Sequence, residues 1–303
     1  MFTRLRSRRV SASFTNQLTC ELTAAVLLCS LCPGQASAAP QTAVRDPQAV
    51  TVVNSALQAL SGSTAVTDIT LLGNATYIAG SDQETVPAVM KGLGTTSSSV
   101  ELGFAAGSIT EIRNYAFAPR AAVWIGGDGA AHPIPLHNCW TDAVWFYPAL
   151  GTLDELTDAQ VSFVSLGAAT FNGVPVLHVR SYRILSNQDP DIITLVQTMS
   201  TTDVYLDPAS YLPEFVTFNT HPDSDFQTAI PVEVDFADYR TIAGARVPFH
   251  MRRFEAGVLK LDFMVAGAAV NSGLSATGFV VRRCESCYSF ASFGRFLRLP
   301  VTL

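Results

Sequence analysis

Five histidines, two Asp-x-Asp pairs and a Cys-x-x-Cys at 284–287 are the residues of this 303-residue chain whose types could carry chemistry. His132 and His137 stand five positions apart, which does not bring two imidazoles to one helical face as an i,i+4 spacing would. His178, His221 and His250 are scattered, so no zinc site is expected. Asp189 with Asp191, and Asp223 with Asp225, offer oxygen ligands to calcium, yet neither pair lies in a twelve-residue loop with a closing Glu. Turn chemistry explains both pairs, because Asp bonds nearby backbone amides. Cys284 and Cys287 lack a second pair for zinc and the βαβ setting of a redox motif, so a local disulfide is the plainer reading. There is no Gly-x-Ser-x-Gly nucleophile elbow, no Ser, His and Asp arrangement with supporting context, and no phosphate-cradling glycine loop. These residues predict a protein that is not an enzyme and that uses no cofactor and no metal.

The start of the chain carries an address. Arg4, Arg6, Arg8 and Arg9 precede an apolar run over 22–32 and then Ala36-Ser37-Ala38, the order of a cleavable secretory signal spanning 1–38. The apolar run falls short of the roughly twenty residues that cross a bilayer, so no stable transmembrane anchor is expected. Leu28 and Leu31 precede Cys29 and Cys32, which argues against a lipid-modified cysteine. Export to the periplasm follows, with the mature protein beginning at Ala39. The formal net charge is −6, and removing the arginine-rich start makes the remainder more acidic still. A surface of that sign excludes nucleic acid as an expected partner, since phosphate binding needs clustered cations. Cleavage leaves Cys139, Cys284 and Cys287, an odd number, so at least one thiol is free or pairs with another chain.

The elements that must position any site are mostly strands. One helix is well specified: Asp46 can cap it, Pro47 suits its first position, and Val50, Val53, Leu57 and Leu60 recur at helical spacing until Gly62. Beyond it the period changes to two. Short segments rich in Val, Thr, Phe and Tyr read as strands near 66–79, 86–92, 98–106, 109–118, 121–126, 160–170, 174–185, 198–206, 213–220, 231–240, 247–255 and 257–270. Turn pairs at 172–173, 243–244 and 256–257, with the glycines of 126–129, join neighbours and predict an antiparallel meander. The stretch 141–158 lacks alternation and reads as a helical interruption between sheet halves, with an aromatic cluster at 145–147 suited to covering something apolar. Val232, Val234 and Phe236 share one face while Glu233 and Asp235 share the other. Leu261 and Phe263 likewise oppose Lys260 and Asp262, and Phe249 and Met251 continue the apolar row. Those seven residues are the candidate ligand-binding face.

One stretch carries a resemblance. Asp207 with Leu212-Pro213 forms a D-x-x-x-x-L-P turn, Asp238-Tyr239-Arg240 follows, and Gly244 with Pro248 completes a G-x-x-x-P. The pattern resembles the bacterial outer-membrane lipoprotein-sorting proteins of the LolA-like superfamily, and is closest to uncharacterised exported members of acidobacterial type, whose ending is similar to Asn271-Ser272-Gly273-Leu274 and Phe279. The resemblance covers most of 45–279 in pattern, with its specific part at 202–279. It implies an unclosed antiparallel barrel with a helical lid over an apolar cavity that receives acyl chains. The cavity residues of such carriers are defined by apolar character, so none transfers by identity, and residues 280–303 continue past the expected end.

The expectation is therefore a mostly β, α+β protein: a curved antiparallel sheet or unclosed β-barrel with a helical cover over 39–279, and a C-terminal extension over 280–303. Its expected function is periplasmic binding or carriage of a lipid, a lipoprotein acyl chain or another apolar ligand. The alternative is a non-catalytic envelope scaffold or protein-interaction module whose core is filled by its own side chains.

Overall fold

The computed structural model describes residues 42–281. The signal segment with its cleavage point, the cysteines Cys284 and Cys287, and residues 282–303 of the extension lie outside the described residues.

Thirteen strands form one antiparallel sheet: β1 (Asp68–Ala79), β2 (Asp82–Leu93), β3 (Ser97–Phe104), β4 (Gly107–Asn114), β5 (Ala121–Ile125), β6 (Ala131–Ile134), β7 (Val161–Phe171), β8 (Val174–Arg183), β9 (Thr202–Leu206), β10 (Pro213–Thr220), β11 (Ile230–Ile242), β12 (Ala245–Glu255) and β13 (Val258–Val270). Two meanders are joined at their middle. β1 to β6 step outward in one direction, β7 to β13 step back from the other side, and β13 pairs with β1. β6 and β7 are thus the two edges, and the sheet is not closed into a barrel. The expected hairpin chemistry is present: Asn172-Gly173, Ala243-Gly244 and Ala256-Gly257 all hold positive φ at both positions, as two-residue turns that match strand twist require.

Two elements cover the apolar face. Helix α1 (Pro47–Ser61) starts where the cap and proline predict, with the Asp46 carboxylate accepting from the Gln48 amide at 2.9 Å. It buries Ala49, Val53, Ala56 and Leu60, so the stripe is turned slightly from the expected one: small Ala side chains lie innermost while Val50 and Leu57 sit at its border. The second cover is the connection between the two edge strands. Residues 135–160 hold three short 3-10 turns (Leu136–Cys139, Pro148–Leu150 and Thr152–Thr157) in place of a longer helix, and Ala143 to Tyr147 are all buried. A chain leaving one edge and re-entering at the other must cross a face, and this one crosses the apolar face because its own side chains are apolar. Its path is close to the sheet: a methyl group added at Gly92 of β2 would lie 2.6 Å from Val144.

Two devices hold the central seam. At Gly73 the β1–β13 register shifts, and a Cβ there would lie 2.1 Å from the Met264 carbonyl oxygen, so no side chain fits. Asp68, 2% exposed, accepts from the Ser272 amide and hydroxyl at 2.8 Å each and from the Gly273 amide at 3.0 Å. Burial pushes the Asp68 carboxyl upward, but these bonds outweigh it and hold it below the usual range.

Two elements differ from the sequence expectation. A second helix, α2 (Pro190–Met199), occupies part of the region read as loop and strand. Asp189 caps it at the Asp191 amide (2.9 Å), so Asp189 serves a helix start and not a free turn. Strand β6 was not expected, because its four residues include Pro133 and lack alternation. Asp225 does act as the turn residue expected, accepting from the Gln227 amide at 2.9 Å. No helix among the described residues is long and apolar enough to cross a membrane.

Candidate ligand-binding pocket

Register decides which side chains share the covered face. Phe236, Met251, Phe263, Ala75 and Val86 form one cross-strand row, and Val234, Arg253, Leu261 and Tyr77 form the next. All seven candidate residues, Val232, Val234, Phe236, Phe249, Met251, Leu261 and Phe263, lie on this face and are at most 8% exposed. They belong to the packed core beneath α1 and the crossing segment. None of them lines the open apolar space.

That space lies over the other half of the sheet. A pocket of about 410 Å³ is lined by Tyr77 of β1, Val100 and Leu102 of β3, Ile109 and Glu111 of β4, Trp124 of β5, and Trp145 from the crossing segment. Leu102 pairs with Ile109, and Val100, Glu111 and Trp124 stand side by side in one row. Tyr77 and Trp124 are more than a third exposed, so they stand at the mouth, while Trp145 is 5% exposed and forms a wall. His132 stacks on Trp124 at 3.9 Å and backs it.

The charged end of the pocket is built from inward-facing residues that sequence alternation alone assigns to water. Arg113, 5% exposed, donates from Nε to Glu111 at 2.6 Å, from Nη1 to the Tyr115 hydroxyl at 2.9 Å, and to the Asn138 carbonyl and Thr141 hydroxyl at 3.3 Å each. Burial pushes the Glu111 carboxyl up, yet the Arg113 charge, helped by Arg253, holds it below its ordinary value. The Arg253 guanidinium lies 4.8 Å over the Trp145 ring and bonds Glu255 at 3.1 Å. Among the described residues, Trp145 Nε1 and Arg253 Nε are buried without a hydrogen-bond partner. Such an arrangement can bury an apolar chain and meet a polar end. The charged groups beside it are tied to one another as a network.

The remaining sequence candidates are placed apart. His178 bonds Asp203 at 2.7 Å and His250 bonds Asp262 at 2.8 Å on the opposite face. His137 and His221 do meet, with ring centroids 6.1 Å apart, but each is tied to a backbone carbonyl. Among the described residues no group of three or more His, Cys, Asp or Glu could hold a metal ion. Cys139 is a buried free thiol, and burial pushes it up to about 11.

No protein-family model matches the chain, and no curated protein matches it in sequence. Solved structures do. An outer membrane lipoprotein-sorting protein domain from Vibrio parahaemolyticus superposes with a TM-score of 0.52 at 12% identity, covering 77% of this chain and 96% of the other. The chain shares the fold of that domain. A LolA superfamily protein from Nitrosomonas europaea gives a TM-score of 0.47 at 9% identity over 77% of this chain and 97% of its own. A DUF1329 family protein from Desulfovibrio piger gives 0.43 at 11% identity over 77% and 96%. The open antiparallel sheet with a helical cover is the architecture that the sequence resemblance implied.

Proposed function

We propose that the protein binds an apolar ligand, the acyl chain of a lipid or of a lipoprotein, in the 410 Å³ pocket, and acts as a non-enzymatic carrier in the cell envelope after export and cleavage at Ala38. The observation that carries this reading is an apolar hollow left open on the covered face, walled by Trp124 and Trp145 and charged only at Glu111. Its volume falls in the range of roughly 300–1,000 Å³ used by small-ligand sites. Each methylene buried there contributes about 0.8 kcal/mol without any catalytic group. The seven core residues Val232, Val234, Phe236, Phe249, Met251, Leu261 and Phe263 serve as the packed wall beside the hollow, with Leu261 paired directly to Tyr77. The filled interior over β11–β13 favours the alternative, an envelope scaffold that takes no ligand.

The test uses a fluorescent fatty-acid probe and the intrinsic emission of Trp124 and Trp145. Saturable uptake is expected, and Ile109→Trp, which fills the hollow, is expected to abolish it while thermal unfolding stays near that of the parent. Phe263→Ala is the contrast, losing about 3–5 kcal/mol of stability because it empties the core instead. A folded parent protein that takes up no probe transfers the assignment to the scaffold.

A further inference from the structure

The face of the sheet turned away from the core carries a groove of about 620 Å³, larger than the apolar pocket and different in chemistry. Its floor is a row of four residues in register on four adjacent strands: Arg180 of β8, Asp203 of β9, Thr217 of β10 and Glu233 of β11. Strand spacing of about 4.8 Å therefore lays donors and acceptors out in a line. One wall is α2 with Gln197. The other is Phe171 at the tip of the β7–β8 hairpin, which leans across the outer face until its neighbour Asn172 bonds Glu233 at 2.8 Å. Phe171 is held from behind by stacking on Tyr205 at 4.1 Å.

The row is pre-organised. Arg180 makes a two-pronged contact with Asp203, 2.9 Å at each prong, and His178 fixes the same carboxylate at 2.7 Å. Hydrogen-bonding capacity is left over. Arg180 Nη1 and the side-chain amides of Gln197 and Asn219, the latter also in the lining, have no hydrogen-bond partner among the described residues, while Glu233 is engaged both by Asn172 and by Asp235. The cation in the row is already neutralised by Asp203, and Glu233 adds a negative charge, so an anionic ligand is disfavoured. The lining is mixed, with Phe171, Phe218, Pro231 and Val232 beside the charged row, and a purely apolar ligand would leave that row's polar groups unpaired.

We propose that this groove is a second binding site, for a neutral, hydroxyl-rich ligand: a saccharide whose hydroxyls pair with the Arg180–Glu233 row and Gln197 while a C–H face of its ring rests on Phe171. The site lies on the opposite face from the apolar pocket and does not depend on it.

The experiment is titration of the full mature protein with two neutral trisaccharides, tri-N-acetylchitotriose and maltotriose, followed by calorimetry and saturation-transfer NMR, with a parallel sedimentation assay on purified cell-wall sacculi. Saturable binding of a trisaccharide with transfer from aromatic protons to ring C–H protons is expected for a short free saccharide. Sedimentation without trisaccharide binding would assign the site to a polymeric glycan strand. The double variant Gln197→Ala with Asn219→Ala removes unpaired amides only, so its unfolding midpoint should match the parent. It should weaken binding at least about tenfold, the weight of one good ligand hydrogen bond. Absence of binding in every arm overturns the proposal, as does binding unchanged in the double variant or displaced by a sulfated oligosaccharide.

Discussion

At the scale of single residues, burial displaces one carboxyl in the cover of the sheet. Glu155, in the last 3-10 turn of the crossing segment, contacts Arg183. Burial pushes its carboxyl up to about 7, and Arg183 only partly opposes the rise. The folded-state value thus lies above that of an unfolded Glu, about 4.3. The folded state holds the extra proton between these limits, so this residue's contribution is fully present below about pH 4 and is lost as pH rises through 7. Glu155→Gln should flatten the pH dependence of the urea midpoint between about pH 4 and 7 and leave Arg183 with its bond to Asp158 at 2.7 Å. A slope identical to the parent's would refute this assignment. Asp235 is displaced in the same direction by burial and by the neighbouring Glu233 charge, with Arg252 opposing at 2.7 Å. The outer face expected to be wet therefore carries a partly buried ion pair.

At the scale of elements, the two helices begin with the same Asp-Pro pair but are anchored differently. Asp189 satisfies one amide of its own helix. Asp46 does this and also accepts from the Ser165 amide of β7 at 3.0 Å, tying the covering helix to an edge strand. Removing either cap costs on the order of 1 kcal/mol, and Asp46→Ala leaves a strand amide without its partner as well. Asp46→Ala is accordingly expected to lower stability by about 1 kcal/mol more than Asp189→Ala, as read from denaturant midpoints at constant slope. Equal losses would mean that the Ser165 bond contributes nothing to holding the cover.

For the molecule as a whole, the consequential pairing is β1 with β13, which makes the first and last strands of the described chain neighbours at the middle of the sheet. Strands in the middle are paired on both sides and buried on one face, while β6 has a strand on one side only and β7 is met on its outer side only by the short segment Val44–Asp46. Hydrogen exchange should follow that order: amides of β1 and β13 open only with global unfolding and those of β6 by local fraying. Asp68→Ala, which frees three donors from Ser272 and Gly273, should bring the ends of β1 and β13 into the fast-exchanging class. Protection of β6 above β13 in the parent would contradict the topology.

Much of this was legible in the residues. The capped helix at 47–61, the antiparallel pairing through the three two-residue turns and the inward direction of Val232 to Phe236 follow from local rules: a cap side chain, positive φ at a turn, and a period of two. These act within a few residues and need no distant partner. The helix at 190–199 was equally local, since Asp189-Pro190 repeats the signal of Asp46-Pro47, but a second Asp beside it drew the reading toward a turn. Other features depend on residues far apart in the chain, and only the tertiary structure could decide them. Glu111 and Arg113 break the apolar alternation of β4, and they point inward because each neutralises the other and Asn138 and Thr141 arrive from the crossing segment to complete the bonds. Where the crossing segment fills the covered face and where it leaves a hollow is set by the packing of Val144 to Tyr147 against strands distant in sequence. An apolar row is written in the sequence, but whether it becomes core or pocket depends on what lies over it.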